Sequence, residues 1–135
     1  MPKISIVIPA YNVGDYLQEC LDSVRNQTFS DIEAIVVNDA SPDNVGEIAA
    51  RAAAEDSRIR VVTNSPNMGT HRTRMAGVEN ASGEYTFFLD GDDALKPDMC
   101  EQLAAEIDKH PVDVLHYGLT VVAANELLEN ERQAF

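Results

Sequence analysis

The chain has 135 residues, of which 44% are hydrophobic and 24% charged, and it carries a formal net charge of −13. That length bounds one domain with a real core, and the acidic balance excludes duplex nucleic acid as a partner, because phosphate binding needs basic surface. No apolar run approaches the ~20 residues of a membrane span. ISIVIPA is too short for a secretory core followed by a cleavage site. Cys20 and Cys100 fall on apolar helical positions, where buried thiols are expected, and they suit a reducing, cytoplasmic setting.

In chain order, KISIVI (3–8) reads as a strand ending at Pro9. Leu17, Cys20, Leu21 and Val24 recur at helical spacing, which predicts a helix over 15–26. IEAIVVN (32–38) is a second strand, apolar nearly throughout. Ser41-Pro42 reads as an N-cap with proline at the first helical position, opening a helix that carries Val45, Ile48, Ala49 and Ala52. RIRVV (58–62) is a third strand, NSPNMG (64–69) a loop, and 70–80 a helix that stops near Gly83. EYTFFL (84–89) is a fourth strand. Lys96-Pro97-Asp98 opens a helix with Cys100, Leu103, Ala104 and Ile107 on one face. DVLHYGLTVVA (113–123) reads as a fifth strand, and the tail is polar without a clear period.

Strands alternating with helices predict an α/β fold of three layers around a mostly parallel sheet. Near-continuous apolar strands agree, since such a sheet is covered on both faces. Right-handed crossovers place every strand-to-helix loop at one edge, where ligands of these folds bind. The unusual polar residues all fall in those loops. Tyr11 and Asn12 follow Pro9 and Ala10, Asp39 follows the second strand, and His71, Arg72 and Arg74 follow Gly69. Asp90, Gly91, Asp92 and Asp93 follow the fourth strand. Clustered carboxylates suit a hard divalent cation, Mg²⁺ or Mn²⁺, bound together with phosphate oxygens. Arginine suits phosphate by charge and geometry. Together these groups read as a metal–nucleotide-diphosphate site. Arg72 and Arg74 do not share a helix face, and Arg74 is the one expected in the site, with His71 at the rim. An EF-hand loop starting at Asp90 fails at Ala94 and Leu95. A phosphatase with Asp90 as nucleophile has too few residues left for its remaining groups.

PKISIVIPAYN, QTFSDIEAIVVNDASPDN, the segment from Gly69 to Gly77 and SGEYTFFLDGDD, in that order, resemble family 2 glycosyltransferases of the GT-A fold over roughly residues 2–122. The resemblance implies a Rossmann-like nucleotide-binding half. In it Pro9, Ala10, Tyr11, Asn12 and Asp39 hold the nucleoside, Asp39 accepting from the base, with Gly69 and Gly91 in the same lining. Arg74 would assist the diphosphate, Asp90 would orient ribose or a metal-bound water, and Asp92, the last residue of the D-x-D element, would ligate the metal. His71, Arg72 and Met75 depart from the family's pattern. The implied activity is inverting sugar transfer from a nucleoside-diphosphate sugar, with uridine as the expected base and an unknown glycan, lipid or cell-envelope polymer as acceptor, in the cytoplasm or at the membrane surface. Residues 1–135 read as one donor-binding domain truncated at its C-terminal side and inactive in transfer by itself. Its fifth strand would be an edge open to self-association. No catalytic base is assigned, although Glu126, Glu129 and Glu131 are available. A nucleotide-binding module without transferase activity is the alternative.

Overall fold

A computed structural model of the chain describes residues 1–118. Four strands alternate with four helices: β1 (Ile4–Ala10), α1 (Gly14–Arg25), β2 (Ile32–Asn38), α2 (Val45–Glu55), β3 (Ile59–Thr63), α3 (Thr70–Asn80), β4 (Tyr85–Phe88) and α4 (Met99–Lys109). The sheet order is β3-β2-β1-β4, and all three pairings are parallel. β1 and β2 run in register from Ile4 opposite Ile32 to Ala10 opposite Asn38. Every crossover helix therefore starts at the carboxyl edge of the sheet, and the four loops expected to carry the chemistry lie there together.

Alternation along the strands divides the core in two. Ile4, Ile6 and Ile8 of β1 pack with Ala34 and Val36 of β2 against Leu17, Leu21 and Val24 of α1, Val45 and Ala49 of α2, and Cys100 and Leu103 of α4. On the opposite face Val7, Ile35 and Val37 form a smaller cluster joined by Ala76 of α3. This second layer is thin because α3 is the one described helix covering it and buries few side chains, Thr73 and Gly77 among them. Gly77 is what lets the helix sit so close. A Cβ there would stand 2.1 Å from Val7 Cγ1.

The strand read as apolar nearly throughout carries one acid. Glu33, on the α3 side of β2, accepts hydrogen bonds from Ser5 Oγ at 2.6 Å, from the Ser82 amide at 2.6 Å and from Arg60 Nη2 at 3.0 Å. Ser5 Oγ also accepts from the Gly83 amide at 2.8 Å. These bonds satisfy a buried carboxylate and tie the turn after α3 to the amino end of the sheet. Burial acts to raise the Glu33 pKa, but the hydrogen bonds from Ser5 and Ser82, helped by Arg60, hold it below its ordinary value.

Two expectations need correction. Ser41-Pro42 does not open α2, which starts at Val45 after Asn44. Ser41 is drawn instead into contacts with its own loop and with β1's loop: its amide donates to Asn38 Oδ1, and its hydroxyl accepts from the Asn12 amide and donates to Asp43. The fifth strand expected over 113–123 is absent from its described part, residues 113–118; the rest lies outside the described residues, as do Glu126, Glu129 and Glu131. Side-chain contacts hold the segment from 112 to 117: the Tyr85 hydroxyl donates to the Val112 carbonyl, and Tyr117 packs edge-on to Phe87.

Candidate functional site

The loop after β1 is held by its neighbours. The Asp39 amide donates to the Ala10 carbonyl at 3.1 Å, and the Gly91 amide donates to the Pro9 carbonyl at 3.3 Å. Gly91 is buried here, and a Cβ on it would meet Val13 Cγ2 at 2.7 Å. Ala10 is buried, so its backbone is the part of it that faces the loops. Tyr11 projects outward with 47% of its surface exposed, beside an exposed Asn12 in the left-handed region at φ 55°.

Asp39 is only 3% exposed, and its carboxylate is already engaged. Oδ1 accepts from the Met68 amide at 2.7 Å and from Asn64 Nδ2 at 3.0 Å, and Oδ2 accepts from the Gly69 amide at 3.0 Å. Asn67 Nδ2 donates to the Asp39 carbonyl. Burial would raise the Asp39 pKa, but the bonds from Asn64, Met68 and Gly69 hold the carboxyl below its ordinary value. One residue after β2 thus ties down the whole loop between β3 and α3. Gly69 enters that helix at φ 85°, a backbone state open to glycine at little cost. Nothing in the sequence marked Asn64 or the two amides as Asp39's partners.

Ala40 also lies in the left-handed region, at φ 56°. For alanine that conformation costs about 1–2 kcal/mol. Ala40→Gly should relieve it, less the ~0.5–1 kcal/mol that glycine adds to the entropy of the unfolded chain. A net gain of about 0.5–1 kcal/mol is expected, read as a higher thermal midpoint in a calorimeter. A lower midpoint would mean that the Ala40 backbone is relaxed.

At the end of β4, Asp90, Asp92 and Asp93 present one carboxylate oxygen each within 4.8 Å of one another, all three exposed. Their crowding has an electrostatic signature. The Asp93 pKa is raised, first by burial and then by the charges of Asp92 and Asp90. Beneath them Cys20 Sγ donates to the Asp90 carbonyl at 3.8 Å, and burial together with the three aspartates pushes this thiol well above its ordinary value. It therefore stays a neutral packing group, as does Cys100, which burial pushes up to about 12.

Arg74 comes from α3 to meet this cluster. Its Nη2 donates to Asp90 Oδ1 at 3.1 Å, and its guanidinium carbon lies 5.6 Å from the centre of the Phe88 ring. Its Nε is buried with no hydrogen-bond partner. His71 and Arg72 are exposed, whereas Arg74 is half-buried against Asp90 and Phe88. The structure thus joins Pro9 with Gly91, Ala10 and Gly69 with Asp39, and Arg74 with Asp90. Tyr11 and Asn12 stand at the rim of the same edge.

A parallel sheet of order 3-2-1-4, with its polar groups gathered at the carboxyl edge, defines a Rossmann-like α/β domain. The chain belongs to glycosyl transferase family 2, whose family model matches residues 5–134. It is 42% identical over 118 residues to EpsJ of Bacillus subtilis, described as an uncharacterized glycosyltransferase, covering 87% of this chain and 34% of that protein. It is 40% identical over 109 residues to the chondroitin synthase of Pasteurella multocida, covering 81% of this chain and 11% of the synthase. Among solved structures, residues 1–349 of S. aureus TarS in complex with UDP-GlcNAc superpose with a TM-score of 0.85 at 31% identity, covering 89% of this chain and 35% of that 1–349 chain. The GT-A likeness is therefore a matter of both sequence and fold, and the chain spans about a third of EpsJ's length. Among the described residues, no helix is long and apolar enough to cross a membrane.

Proposed function

We propose that this chain supplies the donor-binding part of an inverting glycosyltransferase that uses a nucleoside-diphosphate sugar, with UDP as the nucleotide, and a divalent cation. The observation that carries the proposal is the aspartate triplet beside Arg74 at the carboxyl edge. The fit to a cation is chemical as well as geometric. The donors are all hard carboxylate oxygens, close enough to converge with small side-chain rotations, and their repulsion already shows at Asp93. The complexes of TarS with UDP and with UDP-GlcNAc support the choice of donor class.

In this reading Asp92 ligates the cation, with Asp93 at hand, and Asp90 orients the ribose or a metal-bound water. When bound, the cation neutralises charge on the departing diphosphate. Arg74 offers its guanidinium to a diphosphate oxygen, and its unpartnered Nε is a donor suited to a second one. Tyr11 packs on the base, and Asp39 accepts from the base through Oδ2, which bears one hydrogen bond from the protein and retains a lone pair. The Pro9–Asn12 turn and Gly91 line the nucleoside, and Gly69 lets the loop beneath it turn into α3. Transfer itself is attack by an acceptor hydroxyl on the anomeric carbon, the bond to the diphosphate oxygen breaking as the hydroxyl proton passes to a base. No described residue is assigned that base.

Calorimetry with UDP tests the site. Binding should appear with Mn²⁺ or Mg²⁺, weaken more than tenfold in EDTA, and be lost to a similar extent in Asp92→Ala with Mn²⁺ present. Equal affinity with and without the cation would remove the metal from the reading and leave a simple nucleotide pocket.

A further inference from the structure

We propose, building on the metal–nucleotide reading above, that Arg74 is a shared cation. It neutralises Asp90 before any ligand arrives and passes to the diphosphate when one binds, so that cation and nucleotide affinities are coupled through a single guanidinium.

Three observations lead to this. Arg74 Nη2 holds Asp90 Oδ1 at 3.1 Å, and Asp90 is one of the three acids whose oxygens lie within 4.8 Å of one another. The arginine's charge therefore cancels an acid whose field, and whose hold on a metal-bound water, a divalent cation at Asp92 would draw on. Arg74 Nε is buried and unpartnered, an arrangement that costs free energy and leaves a donor open to a further acceptor. The Phe88 ring, 5.6 Å from the guanidinium carbon and 43% exposed, gives the side chain an apolar rest from which to swing. A guanidinium has five N–H donors, and a diphosphate offers it more acceptors than Asp90 does.

The consequence is thermodynamic. A cation arriving first meets an Asp90 whose charge Arg74 already neutralises. A diphosphate arriving first withdraws Arg74 and frees Asp90 for the cation. Each ligand then raises the affinity of the other by the same factor. Direct bridging of the diphosphate by the cation also couples the two ligands, so the informative measurement leaves the nucleotide out.

The experiment is a titration of the 135-residue chain with Mn²⁺ alone, followed by electron paramagnetic resonance, for the wild type, Arg74→Met and Arg72→Met. Arg72 lies two positions earlier on α3 and is exposed, so its loss reports the general effect of removing one positive charge. Arg74→Met should bind Mn²⁺ about two- to fivefold tighter than wild type, the range expected for releasing one exposed ion pair, while Arg72→Met should change little. Addition of UDP should then tighten Mn²⁺ less in Arg74→Met than in wild type. Arg74→Gln, which keeps a polar stem, serves if the methionine variant does not fold. Unchanged or weaker Mn²⁺ binding without Arg74, or an equal gain in Arg72→Met, would overturn the shared-cation role while leaving the metal site standing. Absence of Mn²⁺ binding in every chain even with UDP would overturn the site reading, and this inference with it.

Discussion

Asp39→Ala should lower the thermal midpoint by about 10 °C and weaken UDP in the same protein. The substitution strands the Met68 and Gly69 amides and the Asn64 amide nitrogen, three donors that now converge on one buried carboxylate. Leaving a buried donor unpaired costs about 1–3 kcal/mol. Because these donors sit in one loop that can partly resolvate, a total near 3 kcal/mol is expected, and each kcal/mol is worth about 3–4 °C in a chain of this size. Asp39→Asn separates charge from shape. The wild-type carboxyl titrates below its ordinary value in the folded state, so the unfolded chain takes up the proton first as pH falls. Its contribution is complete above the unfolded value of about 3.9 and is lost as pH drops through the folded value. Unfolding followed from pH 7 to pH 3 should show a steeper acid loss in wild type than in Asp39→Asn. Parallel curves, together with an unchanged midpoint in Asp39→Ala, would show that the loop does not depend on this residue.

Gly77→Ala should destabilise the fold by about 1–2 kcal/mol, although alanine is the better helix former. The added methyl would stand 2.1 Å from Val7 Cγ1 and 3.1 Å from Cγ2, and Val7 is fully buried in the middle of β1. Overpacking of this kind costs about 1–3 kcal/mol, and the gain in helix propensity offsets at most ~1 kcal/mol. If the loss comes from this one contact, Val7→Ala should partly rescue it, giving a favourable coupling in a double-mutant cycle measured by urea denaturation. Additive effects would place the cost elsewhere in α3.

The eight elements were legible in the sequence because their signals are local. The apolar runs of β1 and β2, the 3–4 spacing of Leu17, Leu21 and Val24, and the glycine entering α3 each act within a few residues. Ser41-Pro42 misled because its partners, Asn12 and Asn38, come from other elements and outbid the local capping preference. Glu33 was invisible for the same reason: one acid in an apolar strand reads as an exception until Ser5, Arg60 and Ser82 are brought to it from three other segments. At the site, residue types and edge were readable from the loops. The engagement of Asp39 by its own loop was not, since two of its donors are backbone amides that carry no side-chain signature.

The parallel order of the sheet also settles an electrical question that composition leaves open. A chain of net charge −13 should repel an anion such as a nucleotide sugar over the roughly one Debye length that salt leaves unscreened. Yet α1, α2 and α3 all begin at the carboxyl edge, so three positive helix ends, each equivalent to about half an elementary charge, crowd toward the place where the diphosphate would lie. Their reach is a single turn. On the proposed reading, a diphosphate's approach would be opposed by the chain's net charge within a Debye length and favoured only within about one helical turn of these ends.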